Sequence, residues 1–173
     1  LVSYYCPTSI ETYKEIEEVY YLNIICSMLG GSNYSILNRV LKNELKLADA
    51  VSFEYYTTNE IPGIIYFSAI TDENKINNLL EKYNEIINEP NQYLDSNYFE
   101  VIKENSLSSN FWTFESPSSQ GMLIGSSELF KTYKEAYEYI NKLNKIKFQD
   151  LFDIAHKYII NKNPFISKYI PQK

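Results

Sequence analysis

The chain has 173 residues, 16 of them basic and 22 acidic, for a formal charge of −6. Apolar residues make up 45% and aromatic residues 16%, which excludes wholesale disorder and suits one domain burying roughly 70% of its unfolded surface. The acidic balance, with Arg39 the sole arginine, excludes the dense basic face that a nucleic-acid binder needs, and no apolar run is long enough to form a membrane-spanning helix.

Leu1 to Cys6 is apolar and aromatic and stops at Pro7, which predicts a strand. Opening in mid-strand without a Met, the sequence reads as a piece of a longer protein. Acids at Glu11, Glu15, Glu17 and Glu18 then suit the positive end of a helix. Its apolar stripe is Val19, Leu22, Ile25, Cys26 and Leu29, and Gly30-Gly31 stops it. Ser35 is placed to cap a second helix carrying Leu37, Val40, Leu41 and Leu45 on one side. From Asp49 to Thr57 the period changes to two, with Val51, Phe53 and Tyr55 facing one way. Pro62-Gly63 marks a hairpin turn into a strand over Ile64 to Ile70, apolar on both faces and therefore central.

The second half reads as helices. Ile76, Leu79, Leu80, Tyr83 and Ile87 form an amphipathic stripe, closed by Glu89-Pro90-Asn91. Residues 95–108 suit a helix around Phe99 and Ile102, whereas 108–114 fits no element clearly. Ser116-Pro117 reads as an N-cap followed by Pro at the first helical position, ahead of Met122 and Leu123. Helices follow over Tyr133 to Leu143 and over Phe148 to Ile160, the latter turning Leu151, Phe152, Ala155, Tyr158 and Ile159 inward. Asn163-Pro164 stops it before a closing strand, Phe165 to Ile170. The architecture implied is α+β: a mainly antiparallel sheet with helices packed on one face.

Few residues suggest chemistry. His156 is the only histidine, so a metallopeptidase helix with two histidine ligands (HExxH, or its inverse HxxEH) cannot be present. Any Ser-His or Cys-His pair would have to use it. Cys6 ends a strand and Cys26 sits on a core stripe; both read as packed thiols. Gly30-Gly31 lacks the context of a phosphate loop, and Glu15, Glu17 and Glu18 read as a solvated face. Phe111, Trp112 and Phe114 fit either core or a contact with another domain.

One segment is more specific. From Leu29 to Phe53 the chain reads LGGSNYSILNRVLKNELKLADAVSF, which resembles insulinase-like (M16) peptidases. In that family a helix ends in Leu-Gly-Gly, and a second helix ends in an Arg-x-x-x-x-x-x-Tyr stretch before a strand. Asn144 to Ile159 resembles the family's closing helix, with Asp150 matching its acid and Lys147 standing where Thr is usual. The resemblance implies a single C-terminal, zinc-free domain over 1–173, part of a longer multi-domain chain. It implies no cofactor here and zinc in an N-terminal catalytic domain or a partner subunit. The implied partners are that zinc-bearing unit, an extended peptide substrate enclosed between the halves, and a second copy of the parent.

Two positions carry the family's substrate contact, and both depart from its pattern. Lys42 stands where the family has Arg, and Asp49 where it has Tyr; Ile36 replaces a further frequent Arg. Lysine keeps the charge without the bidentate fork, and an aspartate cannot replace a phenol donor at an oxyanion. The pair therefore suits either residual substrate binding or a surface ion pair. The functional expectation is a non-catalytic, peptide-enclosing half of an M16-like zinc peptidase. The alternative is a degenerate, catalytically inactive scaffold or assembly subunit.

Overall fold

The computed structural model describes residues 2–7, 16–56, 63–130 and 132–170. Four strands form one antiparallel sheet: β1 (Val2–Pro7), β2 (Ala50–Tyr56), β3 (Ile64–Ile70) and β4 (Phe165–Lys168), in the order β2-β3-β1-β4. β3 sits inside the sheet, as its apolar sequence predicts, with Phe53 opposite Phe67 and Phe67 opposite Tyr4. The Pro62 turn between β2 and β3 lies outside the described residues.

Alternation along the strands separates the two faces. Phe53, Ile65, Phe67 and Ala69 are buried against the helices. The opposite face carries polar and mixed contacts: the Ser52 and Ser68 hydroxyls lie 2.8 Å apart, and the Tyr56 and Tyr66 rings pair with centroids at 5.9 Å. One buried cluster runs through the sheet and its helical layer, so the helices sit on one face.

α1 (Ile16–Gly30) is the central helix. It packs on β2 and against α3, α5 and α6. Its expected stripe is buried, and Tyr20, Ile24 and Met28 are buried as well, because neighbours surround the helix rather than flank one side. α2 (Ile76–Asn88) behaves as its period demands, with Ile76, Leu79, Tyr83 and Ile87 inward and Ile86 added; Tyr83 stacks on Phe67 at 4.1 Å. α3 (Ser96–Glu115) starts at an Asp95 cap, whose carboxylate accepts from Tyr98 N at 2.8 Å, and runs through the stretch that suited no element. α4 (Pro117–Phe130) begins at the expected Ser116-Pro117 pair. α5 (Lys134–Lys145) ends where Lys103 Nζ donates to Asn144 O and Ile146 O, at 2.9 and 3.0 Å. α6 (Phe148–Tyr158) turns Leu151, Ala155 and Tyr158 inward.

The second helix departs from its prediction. After Ile36 and Leu37 it widens into a π-helix, Asn38–Glu44. Leu45 N reaches back five residues to Val40 O at 3.0 Å. The wider turn breaks the 3.6-residue period, so Leu37, Val40 and Leu41 are buried while Leu45 is 46% exposed. Lys46 follows at φ 50°, a left-handed residue that turns the chain toward β2.

Candidate functional site

Of the two positions singled out by sequence, one lies in this π-helix and the other just before β2. Lys42 lies in the last turn of Asn38–Glu44, half-buried. Leu41 O then receives both Leu47 N at 2.7 Å and Ala48 N at 3.1 Å, which closes the helix end. Asp49 follows, exposed; its N–H bonds Ile70 O at 2.8 Å, and Thr71 Oγ1 donates to Leu47 O at 2.5 Å. The approach to β2 is therefore fixed on both sides of Asp49.

Lys42 and Asp49 make no ion pair with one another among the described residues. The pair on this turn is Arg39 with Glu44, at 3.7 Å and well exposed. The negative charge of Asp49 is felt instead by Lys75. A hydrogen bond to Asp72 chiefly holds that ammonium above the usual lysine range, and Asp49 adds a smaller electrostatic contribution.

Behind the site lies a polar chain that sequence reasoning missed. Ser35 and Asn38 are the buried polar side chains among the described residues. Asn38 Nδ2 donates to Ser35 Oγ at 3.2 Å and to Val51 O at 3.3 Å, and Ser35 Oγ donates to Ser32 O at 2.7 Å. Ser35 thus does not cap the helix with its side chain as expected; its backbone carbonyl does, accepting from Arg39 N at 2.8 Å. The available sequence signal was an Asn inside an apolar stripe.

The end of α1 presses on the same strand. A Cβ on Gly30 would overlap the Phe53 backbone nitrogen and Cβ and lie 2.8 Å from Phe53 Cα. Gly30 does end the helix, but what it permits is a close helix-to-strand approach.

The other candidates fall away or change role. His156 is exposed on α6, and no group of three or more metal-ligating side chains occurs among the described residues. Burial, with a smaller contribution from the charge of Glu54, pushes the Cys26 thiol far up, which makes it a poor nucleophile. Cys6 lies on β1 opposite Ile65. Glu17 is solvated as expected. Glu18 is not: its carboxylate accepts from Lys157 Nζ at 2.8 Å and from the Tyr158 hydroxyl. Phe111 and Trp112 are 60% and 70% exposed, so they are surface rather than core; Phe114 stacks on Tyr137 at 5.6 Å.

Residues 7–106, more than half of the chain, match the model of the peptidase M16 inactive domain. The chain belongs to that family. No curated protein matches this inactive domain. Among solved structures it is similar to a Bordetella pertussis protein assigned to the zinc proteases, at 15% identity and TM-score 0.80, covering 98% of this chain and 93% of that one. It is similar also to the inactive peptidase domain of a Bordetella parapertussis protein with the same assignment, at 13% identity and TM-score 0.83, covering 99% and 90%. A third is the periplasmic protease PqqL of Escherichia coli, at 13% identity and TM-score 0.78; 91% of this chain is covered and 17% of that one. The α+β expectation and the M16 resemblance both stand. What the inactive domain presents around Lys42 is a cation and, seven positions on, an anion, on a rigidly anchored turn.

Proposed function

We propose that this domain, spanning 1–173, is the non-catalytic half of an M16-type zinc peptidase and helps to enclose an extended peptide. The zinc and its general base belong to an N-terminal domain or partner subunit. The observation that carries this reading is the match of residues 7–106 to the inactive-domain model. Lys42 is the group that pairs with a carbonyl or carboxylate of the peptide, as a point charge rather than a fork. Asp49 favours basic residues in the bound peptide by charge. Two features bear on how the peptide is held. β2 is an outer strand, but Asn38 already takes its Val51 carbonyl and Gly30 lies on the Phe53 backbone. Side chains of the turn, not the β2 edge, are then the natural contacts.

The intact natural protein, purified under mild conditions, tests this. We expect about one zinc per active unit and cleavage of a quenched fluorogenic basic peptide, lost with a chelator and restored by zinc. A well-folded preparation with neither zinc nor a zinc-bearing partner would leave the second reading, an assembly subunit. The observation favouring that reading is Asp49 itself, which removes the phenol donor. Restoring it with Lys42→Arg and Asp49→Tyr should change cleavage in the peptidase and nothing measurable in a scaffold.

A further inference from the structure

We infer that Asn38 is a positioning residue for the peptide contact: its buried carboxamide locks the π-helix to β2 and so sets Lys42 relative to Asp49. The inference rests on the peptide-enclosing reading above. Asn38 opens the π-helix, and Lys42 lies four residues along it. One carboxamide N–H group joins two elements, reaching Ser35 Oγ at 3.2 Å on the near side and Val51 O at 3.3 Å on the strand. Val51 is two residues past Asp49, so the bond ties the element bearing the cation to the strand beside the anion.

Backbone bonds at Leu41, Asp49 and Leu47 hold the turn and the start of β2, and the Asn38 carboxamide adds a direct side-chain tie from the π-helix to the strand. The neighbouring contacts are aliphatic, from Ile36, Leu37, Val40 and Leu41, and apolar contacts tolerate sliding and rotation. A buried hydrogen bond does not, because slipping leaves a carbonyl unsatisfied. A π-helix has poorer intrinsic alternatives for holding its pitch than an α-helix, so an external tether carries more of the definition. Asn38 is only 6% exposed and acts through Lys42 and Asp49 rather than on the peptide.

The test is a double-mutant cycle in the intact natural protein. Its readout is anisotropy of a short fluorescein-labelled peptide that carries both lysine and glutamate, read in the cold before cleavage. Asn38→Leu keeps volume and loses the donor. It should weaken binding by about tenfold in the native background, as expected for a small misplacement of a binding group. On a background of Lys42→Ala with Asp49→Asn it should add almost nothing, because the groups it positions are gone. Asn38→Ser keeps a donor but opens a hole, and should bind better than Asn38→Leu. A tenfold loss on both backgrounds, or a ranking that follows melting temperature instead of donor retention, overturns the inference in favour of plain stability. Tight binding by Asn38→Leu alongside a clear loss from Lys42→Ala overturns the inference and leaves the peptide reading standing. No loss from Lys42→Ala with Asp49→Asn removes the reading and the inference together. Should Asn38→Leu fail to fold, Asn38→Ala, which also lacks the donor, carries the same cycle with the same deciding outcomes.

Discussion

At the scale of single residues, Gly30 and Glu18 are where local reading and three-dimensional role part company. Gly30-Gly31 announces a helix stop in any sequence, and it is one. The contact that forbids a side chain at Gly30, however, comes from Phe53 on β2, far along the chain, and no local pattern encodes it. Gly30→Ala should therefore lose about 1–3 kcal/mol, measured by chemical denaturation, because the obstacle is backbone and cannot rotate away. An Ala variant as stable as the native chain would mean that α1 can lift off the strand without cost. Glu18 looked like one more surface acid. Burial raises its pKa, but hydrogen bonds from Lys157 and Tyr158 outweigh that, and the folded value lies below the usual 4.5. A depressed folded pKa gives stability that is present above the unfolded value and lost as the pH falls through the folded one. The pair is partly exposed, so its contribution is under about 1 kcal/mol. Comparing native and Glu18→Gln melting should show a constant gap above the usual value of 4.5 and the two converging as the pH drops below it. A gap that persists unchanged well below that value would deny the carboxylate its role in joining α1 to α6.

At the scale of elements, the period of the sequence located helices and strands well where each follows one rule throughout. α2 and α6 bury most of the residues their stripes predict, with Leu80 and Phe152 only partly buried, and β2 alternates as written. The reading failed where the rule changes inside an element. The Asn38–Glu44 turn adopts a wider pitch, so Leu45 emerges into solvent although it sits at helical spacing from Leu41. It failed also for the second half of α3, which has exposed aromatic residues and no clean apolar face. The start of α6 gives a direct test of element logic. Lys147 holds the N-cap position in extended geometry, and its side chain makes no capping bond. A hydroxyl there would accept from the first helical turn, so Lys147→Thr or Lys147→Ser should add about 1 kcal/mol. Loss of stability in both variants would show that the lysine stem contributes packing that outweighs a cap. The two ends of the sheet are handled differently. β2 is covered by Asn38 and the end of α1, whereas β4 is short, exposed along its length and preceded by Pro164, which limits strand addition.

At the scale of the whole molecule, the α+β layout was legible because its order of elements is carried by local signals, and a return through helices is the simplest way to close an antiparallel sheet. The candidate site was legible only in outline. Lys42 and Asp49 could be picked out by resemblance, but the buried Ser35–Asn38 chain that reaches Val51 O appears only once β2 is folded against the turn. Exposure is also unevenly spread: Phe111 and Trp112 on α3 and Met122 and Leu129 on α4 stand in solvent on neighbouring helices.

One of those residues sets how this protein can be watched. Trp112 is the chain's only tryptophan and is 70% exposed in the folded state. Its emission is then already that of an indole in water, red-shifted and open to acrylamide, before any denaturant is added. Unfolding of the isolated domain should pass almost unseen in tryptophan wavelength while far-ultraviolet dichroism reports a cooperative loss of helix. A blue native emission that reddens on denaturation would contradict the placement of α3. The same insensitivity to folding makes the indole an optical probe of a different event, the arrival of another surface at α3, which would move its colour while leaving the dichroism unchanged.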